Sequence, residues 1–227
     1  MNKRYGLIFD VDGVVADTES INRRISVRTL EELFGLQGVR DEDFVAGLGR
    51  GAEEYIKAGA RVHGLELTPE QLQRAVQRRE ELFFEVLEAE PLQAYPGVLE
   101  LIDAALADKA FTVAIATSGS LTKSRAAMEA AKIPYAKMVY VNGDDVTHKK
   151  PDPELFLVAA ARMSLATERC VVIEDAPNGV QAAKAAGAWC IAVTNTTPTE
   201  ALLQADRICD SVQAVTLELL KNLIDSE

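Results

Sequence analysis

Two aspartates, Asp10 and Asp12, directly follow a short apolar segment at residues 5–9. The segment has the length and composition of a buried strand. Open α/β sheets bind ligands beyond the carboxyl ends of their strands, so both carboxylates would face one crevice. One carboxylate could then attack a substrate while the other transfers protons. Because Asp and Gly are also favoured where a strand turns, an aspartate-rich turn at residues 10–13 is the structural alternative.

Polar side chains also follow three later strand-like segments, at residues 111–116, 137–141 and 170–173. They are Thr117, Ser118 and Gly119 after the first, Asp144, Asp145, Lys149 and Lys150 after the second, and Glu174 and Asp175 after the third. The carboxyl ends of parallel strands meet at one edge of a sheet, so we expect these side chains to share the crevice. Carboxylates that close together repel one another unless a cation joins them. The pattern therefore predicts a divalent metal ion.

Oxygen ligands without a histidine close by favour magnesium, which also accepts a phosphate oxygen. The turn at residues 117–120 would offer hydroxyl and N–H groups to a phosphate, although an ordinary strand-to-helix turn capped by Ser120 is the alternative. Lys150 could neutralise charge on a transferring phosphoryl group, whereas adjacent lysines such as Lys149 and Lys150 are more often a solvated pair. Together these residues predict phosphoryl transfer.

The segment between the first two strands has only helical patterns, at residues 18–34, 52–63 and 68–88. Later strands, at 111–116, 137–141, 170–173 and 189–193, alternate with helices at 98–108, 120–131, 153–164 and 177–186. Such alternation predicts an α/β fold with a doubly wound parallel sheet, a Rossmann-like core. We expect this core at residues 1–15 and 92–227 and an inserted all-helical cap domain at 16–91.

Composition limits the partners of the chain, which has 227 residues, 48% of them hydrophobic, and a net charge of -11. This charge would repel nucleic acid and anionic membranes, so we expect neither as a partner. Residues 1–4 lead into the first strand without a signal-peptide core, and no apolar segment has the length of a membrane span. We therefore expect a cytoplasmic protein, and a monomer. Three cysteines are predicted to be buried, reduced thiols: Cys170, Cys190 and Cys209.

Four motifs spread over the chain resemble those of the haloacid dehalogenase-like hydrolase superfamily. They are Asp10-x-Asp12-Gly13, the strand that ends in Thr117, Lys150-Pro151, and Glu174-Asp175. Residues 10–19, 95–97, 150–153 and 174–180 are similar, more narrowly, to the β-phosphoglucomutase and sugar-phosphatase (CbbY-like) branch. The four motifs in this order are highly specific.

The resemblance implies that Asp10 is the nucleophile and forms an aspartyl-phosphate. Asp12 would protonate the leaving alcohol and then deprotonate the incoming water. Thr117 would hold the phosphoryl group, and Lys150 would pair with that group and with the nucleophile. The implied magnesium ligands are Asp10, Asp175 and the carbonyl of Asp12, with Glu174 as a direct or an indirect ligand.

The resemblance also implies contacts to the substrate and its phosphate, from Ser118, Gly119, Asn178 and Arg50. Arg50 matches a cap-loop arginine that grips a distal phosphate in the mutases, whereas a solvated loop residue is the alternative. Arg79 is a weaker candidate for the same role. Asn22 is a departure from the mutase pattern, because the mutases carry a histidine there and asparagine cannot carry a proton.

We thus expect magnesium-dependent hydrolysis of a small phosphorylated metabolite, a sugar phosphate in the first instance. Asp12 argues against carbon–halogen cleavage, since the metal-free dehalogenases of the superfamily lack this second acid. Two alternatives stay open at this point. One is a β-phosphoglucomutase-like mutase, which Asn22 disfavours, and the other is a catalytically silent binding module.

Overall fold

Six parallel strands form one sheet, in the order β3-β2-β1-β4-β5-β6. The computed structural model describes residues 5–226, so the prediction for residues 1–4 lies outside it. The strands are β1 (Tyr5–Phe9), β2 (Phe111–Ala116), β3 (Val139–Val141), β4 (Cys170–Glu174), β5 (Trp189–Val193) and β6 (Arg207–Cys209). The chain runs outward from β1 to one edge of the sheet and then crosses to β4, which makes the sheet doubly wound.

Helices cover both faces of the sheet, which explains why its central strands are almost wholly apolar. They are α1 (Thr18–Phe34), α2 (Ala52–Val62), α3 (Pro69–Ala89), α4 (Val98–Ala107), α5 (Leu121–Ala130), α6 (Glu154–Arg162), α7 (Pro177–Ala185) and α8 (Leu217–Ile224). Leu7 and Phe9 of β1 pack in a cluster with residues of α4, α5 and α8. Ile8 points to the other face, where α6 and α7 supply its neighbours. Each strand face thus has its own apolar layer.

Helices α1, α2 and α3 form the insertion after β1 and have a separate small core around Leu30, Phe44 and Ile56. Two of these helices begin after a residue that caps the helix N-terminus. Asp17 caps α1 by accepting a hydrogen bond from the Ser20 amide, and Thr68 caps α3, whose first residue is proline. The predicted fold class, a parallel α/β core with an inserted all-helical cap, is confirmed.

The two connections between this helical insertion and the sheet run side by side at the carboxyl end of β1. Ala16 forms isolated bridges with both Asp12 and Ala94, and the Tyr95 amide donates to the Val15 carbonyl at 2.9 Å. The insertion is therefore anchored directly above the two aspartates that follow β1. The domain boundaries at residues 16 and 91 stay a prediction.

The structure differs from the sequence-based prediction mainly at the edges of the sheet. The strand predicted at 137–141 begins only at Val139, because a short 3₁₀ helix occupies Tyr135–Lys137. Strand β6 and helix α8 were absent from the prediction. Cys170, Cys190 and Cys209 are buried free cysteines, as expected. None of the helices in residues 5–226 combines the length and the apolar composition that a membrane crossing needs.

We predict that Ile8→Ala destabilises the fold by about 3 kcal/mol, because it leaves a cavity in the central strand. Ile8 is fully buried. In a protein of this size the loss lowers the melting temperature by roughly 6–12 °C, which thermal unfolding measures. Leu157→Ala on α6 is the control, since Leu157 is 44% exposed and its truncation should cost less than about 1 kcal/mol. Equal losses in the two variants would contradict the central place of β1.

Candidate active site

Three neighbouring strands deliver polar residues to one edge of the sheet. Asp10 directly follows β1, Thr117 follows β2, and Glu174 and Asp175 lie at the end of β4. Asp10 and Thr117 are 107 residues apart in the sequence, and Thr117 and Glu174 are 57 residues apart. Since β2, β1 and β4 are adjacent and parallel, these residues nevertheless meet at one crevice.

The ammonium group of Lys150 lies between two buried carboxylates. It donates hydrogen bonds to Asp10 Oδ1 at 2.7 Å and to Glu174 Oε1 at 2.5 Å. Its side chain is only 1% exposed, and the ammonium also lies 5.1 Å from the centre of the Phe156 ring. The structure therefore excludes the alternative of a solvated lysine pair for Lys150. Its neighbour Lys149 is exposed and lines a cavity next to these acids.

Glu174 is fixed by its backbone surroundings. Its Oε2 accepts hydrogen bonds from the amides of Asp175 at 2.9 Å and Ala176 at 3.0 Å, while Oε1 faces Lys150. Gly179, in the first turn of α7, lies so close that a Cβ atom there would overlap the Glu174 carboxylate. Both oxygens of Glu174 thus have partners, which suits a residue that holds Lys150 in place.

Asp10, Glu174 and Asp175 form a compact acidic cluster whose ligand atoms lie within 4.8 Å of one another. Burial raises the pKa of Asp10 to about 7, although Lys150 opposes the shift. Burial, and then the charges of Glu174 and Asp10, raise the pKa of Asp175 well above its ordinary value. When ionised, the three acids carry three negative charges against the single positive charge of Lys150.

Whether a metal ion fits the site can be judged from this excess of negative charge. A divalent cation would balance the two remaining charges, and carboxylate oxygens are the donors that magnesium prefers. Asp10 and Asp175 are placed to hold it, because Asp10 Oδ2 accepts no hydrogen bond from residues 5–226. Asp175 accepts one at Oδ2, from the Thr196 hydroxyl. The residues present therefore fit a magnesium ion.

Asp12 has a different environment from the cluster. Its Oδ1 accepts hydrogen bonds from Thr18 Oγ1 at 2.6 Å and Asn22 Nδ2 at 3.1 Å, and Lys123 Nζ lies 3.9 Å away. Burial alone would raise the pKa of Asp12. The charge of Lys123 and the hydrogen bond from Thr18 outweigh burial, so the pKa lies below its ordinary value.

A cavity of about 210 Å³ opens above these residues, with Asp10, Asp12, Lys150 and Asp175 in its lining. The helical insertion forms its other wall. There, Tyr55 donates to Glu19 Oε1 at 2.5 Å, and the guanidinium of Arg79 lies 5.0 Å from the Tyr55 ring centre while its Nε donates to Ser26 Oγ at 2.7 Å. The wall opposite the acids is therefore polar and carries a buried cation.

The residues of the second motif lie at different depths. Ser118 and Gly119 line the cavity, and Ser118 Oγ donates to the Gly49 carbonyl at 3.0 Å. Thr117 is buried beneath them, and its Oγ1 accepts a hydrogen bond from the Gly119 amide at 3.0 Å. The Thr117 hydroxyl thus shapes the turn.

Two predicted substrate contacts lie away from the cavity. Asn178 donates its amide to the Leu48 carbonyl at 2.9 Å and is outside the lining, so it attaches the loop at Leu48 to the start of α7. Arg50 is also outside the lining, although Gly49 and Gly51 are in it. Arg79, the weaker candidate from the sequence, is buried in the cavity wall instead. The structure thus places Arg79, and not Arg50, in the lining of the cavity.

Lys123 is one of the cavity residues that sequence reasoning missed, together with Glu19 and Tyr55. It lies on α5, lines the cavity and is 8% exposed. A signal was present in the helical spacing, because Lys123 is one turn before Ala127 and shares the buried face of α5 with it. A lysine on a short helix is ordinarily solvated, so this spacing alone does not predict its burial.

Comparison with known proteins places this geometry in a family. The family model of haloacid dehalogenase-like hydrolases matches residues 6–187. Protein CbbY from Cereibacter sphaeroides is 31% identical over 215 residues, which cover 90% of this chain and 91% of CbbY. The crystal structure of CbbY from Rhodobacter sphaeroides in complex with phosphate superposes with a TM-score of 0.83 at 30% identity, over 96% of this chain and 99% of that one.

Other curated relatives are matched over only part of their length. Protein SUPPRESSOR OF QUENCHING 1 from Arabidopsis thaliana is 36% identical over 205 residues, which are 87% of this chain but 18% of that protein. Hexitol phosphatase A from Escherichia coli is 37% identical over 133 residues, 59% of this chain and 61% of that enzyme. With a family match over most of its length and the four motifs gathered at one sheet edge, the chain belongs to the haloacid dehalogenase-like hydrolases, in their sugar-phosphatase branch.

Proposed function

We propose that this protein is a magnesium-dependent phosphatase that hydrolyses a small phosphate monoester, a sugar phosphate, through an aspartyl-phosphate. The observation that carries the proposal is Asp10 itself, held at Oδ1 by Lys150 and exposed to the cavity beside Asp12 and Asp175. The names of two relatives support the substrate class, since one is a hexitol phosphatase and CbbY crystallised with phosphate.

The first step transfers the phosphoryl group to the enzyme. A carboxylate oxygen of Asp10 attacks the phosphorus atom, a P–O bond forms to Asp10, and the bond to the leaving alcohol breaks. Asp12 gives its proton to the alcohol oxygen as that bond breaks. Lys150 keeps the nucleophile oriented, and its charge lies where negative charge develops on the phosphoryl oxygens.

The second step regenerates Asp10. Asp12, now a carboxylate, takes a proton from a water molecule, whose oxygen attacks the phosphorus atom and releases inorganic phosphate from Asp10. A magnesium ion held by Asp10 and Asp175 would neutralise phosphate charge and bring the dianionic ester close to the carboxylate nucleophile. Glu174 supports both steps by holding Lys150.

The cavity favours a small, hydroxyl-rich leaving group. Its volume of about 210 Å³ is below the roughly 300–1,000 Å³ of pockets for drug-sized ligands. Glu19, Tyr55 and Arg79 offer both donors and acceptors on the wall that faces the acids. Such a mixed wall suits the hydroxyl groups of a sugar or polyol.

The mutase alternative differs in the fate of the aspartyl-phosphate, which a mutase must protect from water until a second sugar hydroxyl arrives. Asn22 lies 3.1 Å from Asp12 at the position where the mutases resembled by this chain carry a histidine. An amide cannot transfer a proton, so this contact favours hydrolysis.

We predict that Asp10→Asn abolishes turnover while the fold is kept. The amide is a poor nucleophile but retains the shape of the side chain, so phosphate release should fall at least about 10³-fold. Phosphate release from a panel of sugar phosphates, with magnesium or with a chelator, measures the loss. Asp103→Asn on the exposed side of α4 is the control and should retain full activity. Substantial magnesium-dependent turnover by Asp10→Asn would remove Asp10 as the nucleophile.

Product analysis separates hydrolysis from isomerisation. We predict one inorganic phosphate for each ester consumed by the wild-type protein, with no rearranged sugar phosphate, since the cavity holds no proton-carrying histidine at Asn22. Nuclear magnetic resonance of ³¹P distinguishes the products. Added hexose bisphosphate that stimulates interconversion of sugar phosphates, with little inorganic phosphate, would favour the mutase. An absence of turnover with every ester would favour a silent module.

We predict that Asp175→Asn raises the melting temperature of the metal-free protein at pH 8, because one buried negative charge is removed. The raised pKa values of Asp10, about 7, and Asp175 mean that the native state binds protons that the unfolded state has lost. Metal-free wild type should therefore lose stability as the pH rises through about 7. Asp175→Asn should lose less over the same interval.

The effect of added magnesium on the melting temperature is a second test of Asp175. We expect magnesium to raise the wild-type melting temperature, and by more at pH 8 than at pH 6, since protons compete for the same carboxylates. Asp175→Asn should show little shift at either pH. Thermal unfolding with and without magnesium measures both effects, with Asp103→Asn as the control. An undiminished magnesium shift in Asp175→Asn would exclude Asp175 as a ligand.

A further inference from the structure

Asn22 lies between a buried ammonium and the Asp12 carboxylate. Its Oδ1 accepts a hydrogen bond from Lys123 Nζ at 2.5 Å, and its Nδ2 donates to Asp12 Oδ1 at 3.1 Å. Both Asn22 and Lys123 are buried, at 3% and 8% exposure, and the Lys123 ammonium packs 4.7 Å from the Phe83 ring centre. Lys123, Asn22 and Asp12 are thus joined by two consecutive hydrogen bonds.

The chemistry of its two neighbours gives the Asn22 amide a single orientation. An ammonium group can only donate hydrogen bonds, and a carboxylate can only accept them. The amide oxygen must therefore face Lys123 and the NH₂ group must face Asp12. Among residues 5–226 the Asn22 amide oxygen accepts no other hydrogen bond, so without Lys123 it could turn toward Asp12.

This orientation decides which oxygen of Asp12 is left free of hydrogen bonds. Oδ1 already accepts hydrogen bonds from Asn22 and from Thr18 at 2.6 Å. Two donors hold Oδ1, so Oδ2 is the oxygen left to face a substrate. Oδ2 accepts no hydrogen bond from residues 5–226, and Asp12 lines the cavity.

We propose that Lys123 is a positioning residue that acts through Asn22, holding the Asp12 side chain so that Oδ2 faces the leaving alcohol. The inference rests on the phosphatase function proposed above. At 3.9 Å, Lys123 Nζ is too far from Asp12 Oδ1 for a direct hydrogen bond. Its charge acts on the acid directly, but its hydrogen-bonded connection to the acid passes through the amide. Lys123 belongs to α5 beside the sheet and Asn22 to α1 of the insertion, so the arrangement forms only when these helices are together.

Leaving-group dependence provides a specific test, because kcat/KM reports the step in which the alcohol departs. Phenyl phosphate needs a proton on its leaving oxygen, whereas p-nitrophenyl phosphate releases a stable phenolate that needs little help. We expect Lys123→Met to lower kcat/KM for phenyl phosphate about 10–100-fold and for p-nitrophenyl phosphate less than about threefold. A purely structural role would lower both to the same extent.

A double-mutant cycle tests whether Lys123 acts through Asn22. Asn22→Leu should show the same leaving-group dependence, and the double variant Asn22→Leu/Lys123→Met should be no worse than the poorer single variant. Independent, multiplying losses would overturn the proposal. If Lys123→Met fails to fold, Asn22→Leu alone tests the proposal, since it removes the hydrogen bonds of Asn22 to both Lys123 and Asp12.

Lys221→Met is the matched control, because it removes a lysine and its ion pair with Asp108 outside the cavity. It should keep the wild-type kcat/KM for both esters, and melting temperatures identify any general loss of fold. Equal losses for both esters in Lys123→Met would overturn the positioning role but leave the phosphatase in place. No wild-type activity with either ester or any sugar phosphate would overturn the phosphatase, and this inference with it.

Discussion

The buried pair of hydrogen bonds from Lys150 to Asp10 and Glu174 is the constraint on which the rest of the site depends. A charged group removed from water is costly unless it is paired and hydrogen-bonded. Lys150 satisfies two carboxylates at once, and Glu174 is held in turn by two backbone amides at the start of α7. Asp10 is therefore oriented by the rigid end of the sheet, whereas Asp12 and the opposite wall depend on the helical insertion.

Most of the sheet could be predicted from the sequence because its strands are buried on both faces and are therefore apolar throughout. Strands such as β1 and β4 are bounded by acids that mark their carboxyl ends, so the sequence also locates the crevice. Strand β6 could not be found in this way. It has only three residues, Arg207–Cys209, and its first is exposed, so neither length nor periodicity separates it from a loop. Its strand conformation comes from pairing with β5.

Which residues of the insertion face the site could not be predicted from the sequence. Arg50 and Arg79 have the same side-chain chemistry, and only the resemblance ranked Arg50 first. The structure distinguishes them by burial, and burial depends on how α3 packs against α1 and α2. Lys123 illustrates the same limit, since its proposed role follows from Asn22, 101 residues away. The four motifs identify the chemistry at the sheet, but the wall that faces it is set by tertiary packing.

The pKa shifts of the two aspartates run opposite to what the proposed first step needs. Burial raises the pKa of Asp10, so the proposed nucleophile tends to hold a proton, while Lys123 and Thr18 lower the pKa of Asp12, so the proposed acid tends to lose one. A carboxyl group ionises more readily with a divalent cation beside it and keeps a proton more readily beside an anionic phosphate. In the proposed mechanism, the protonation of both residues therefore suits the first step only when cation and ester are present together, which ties reactivity to the complete complex.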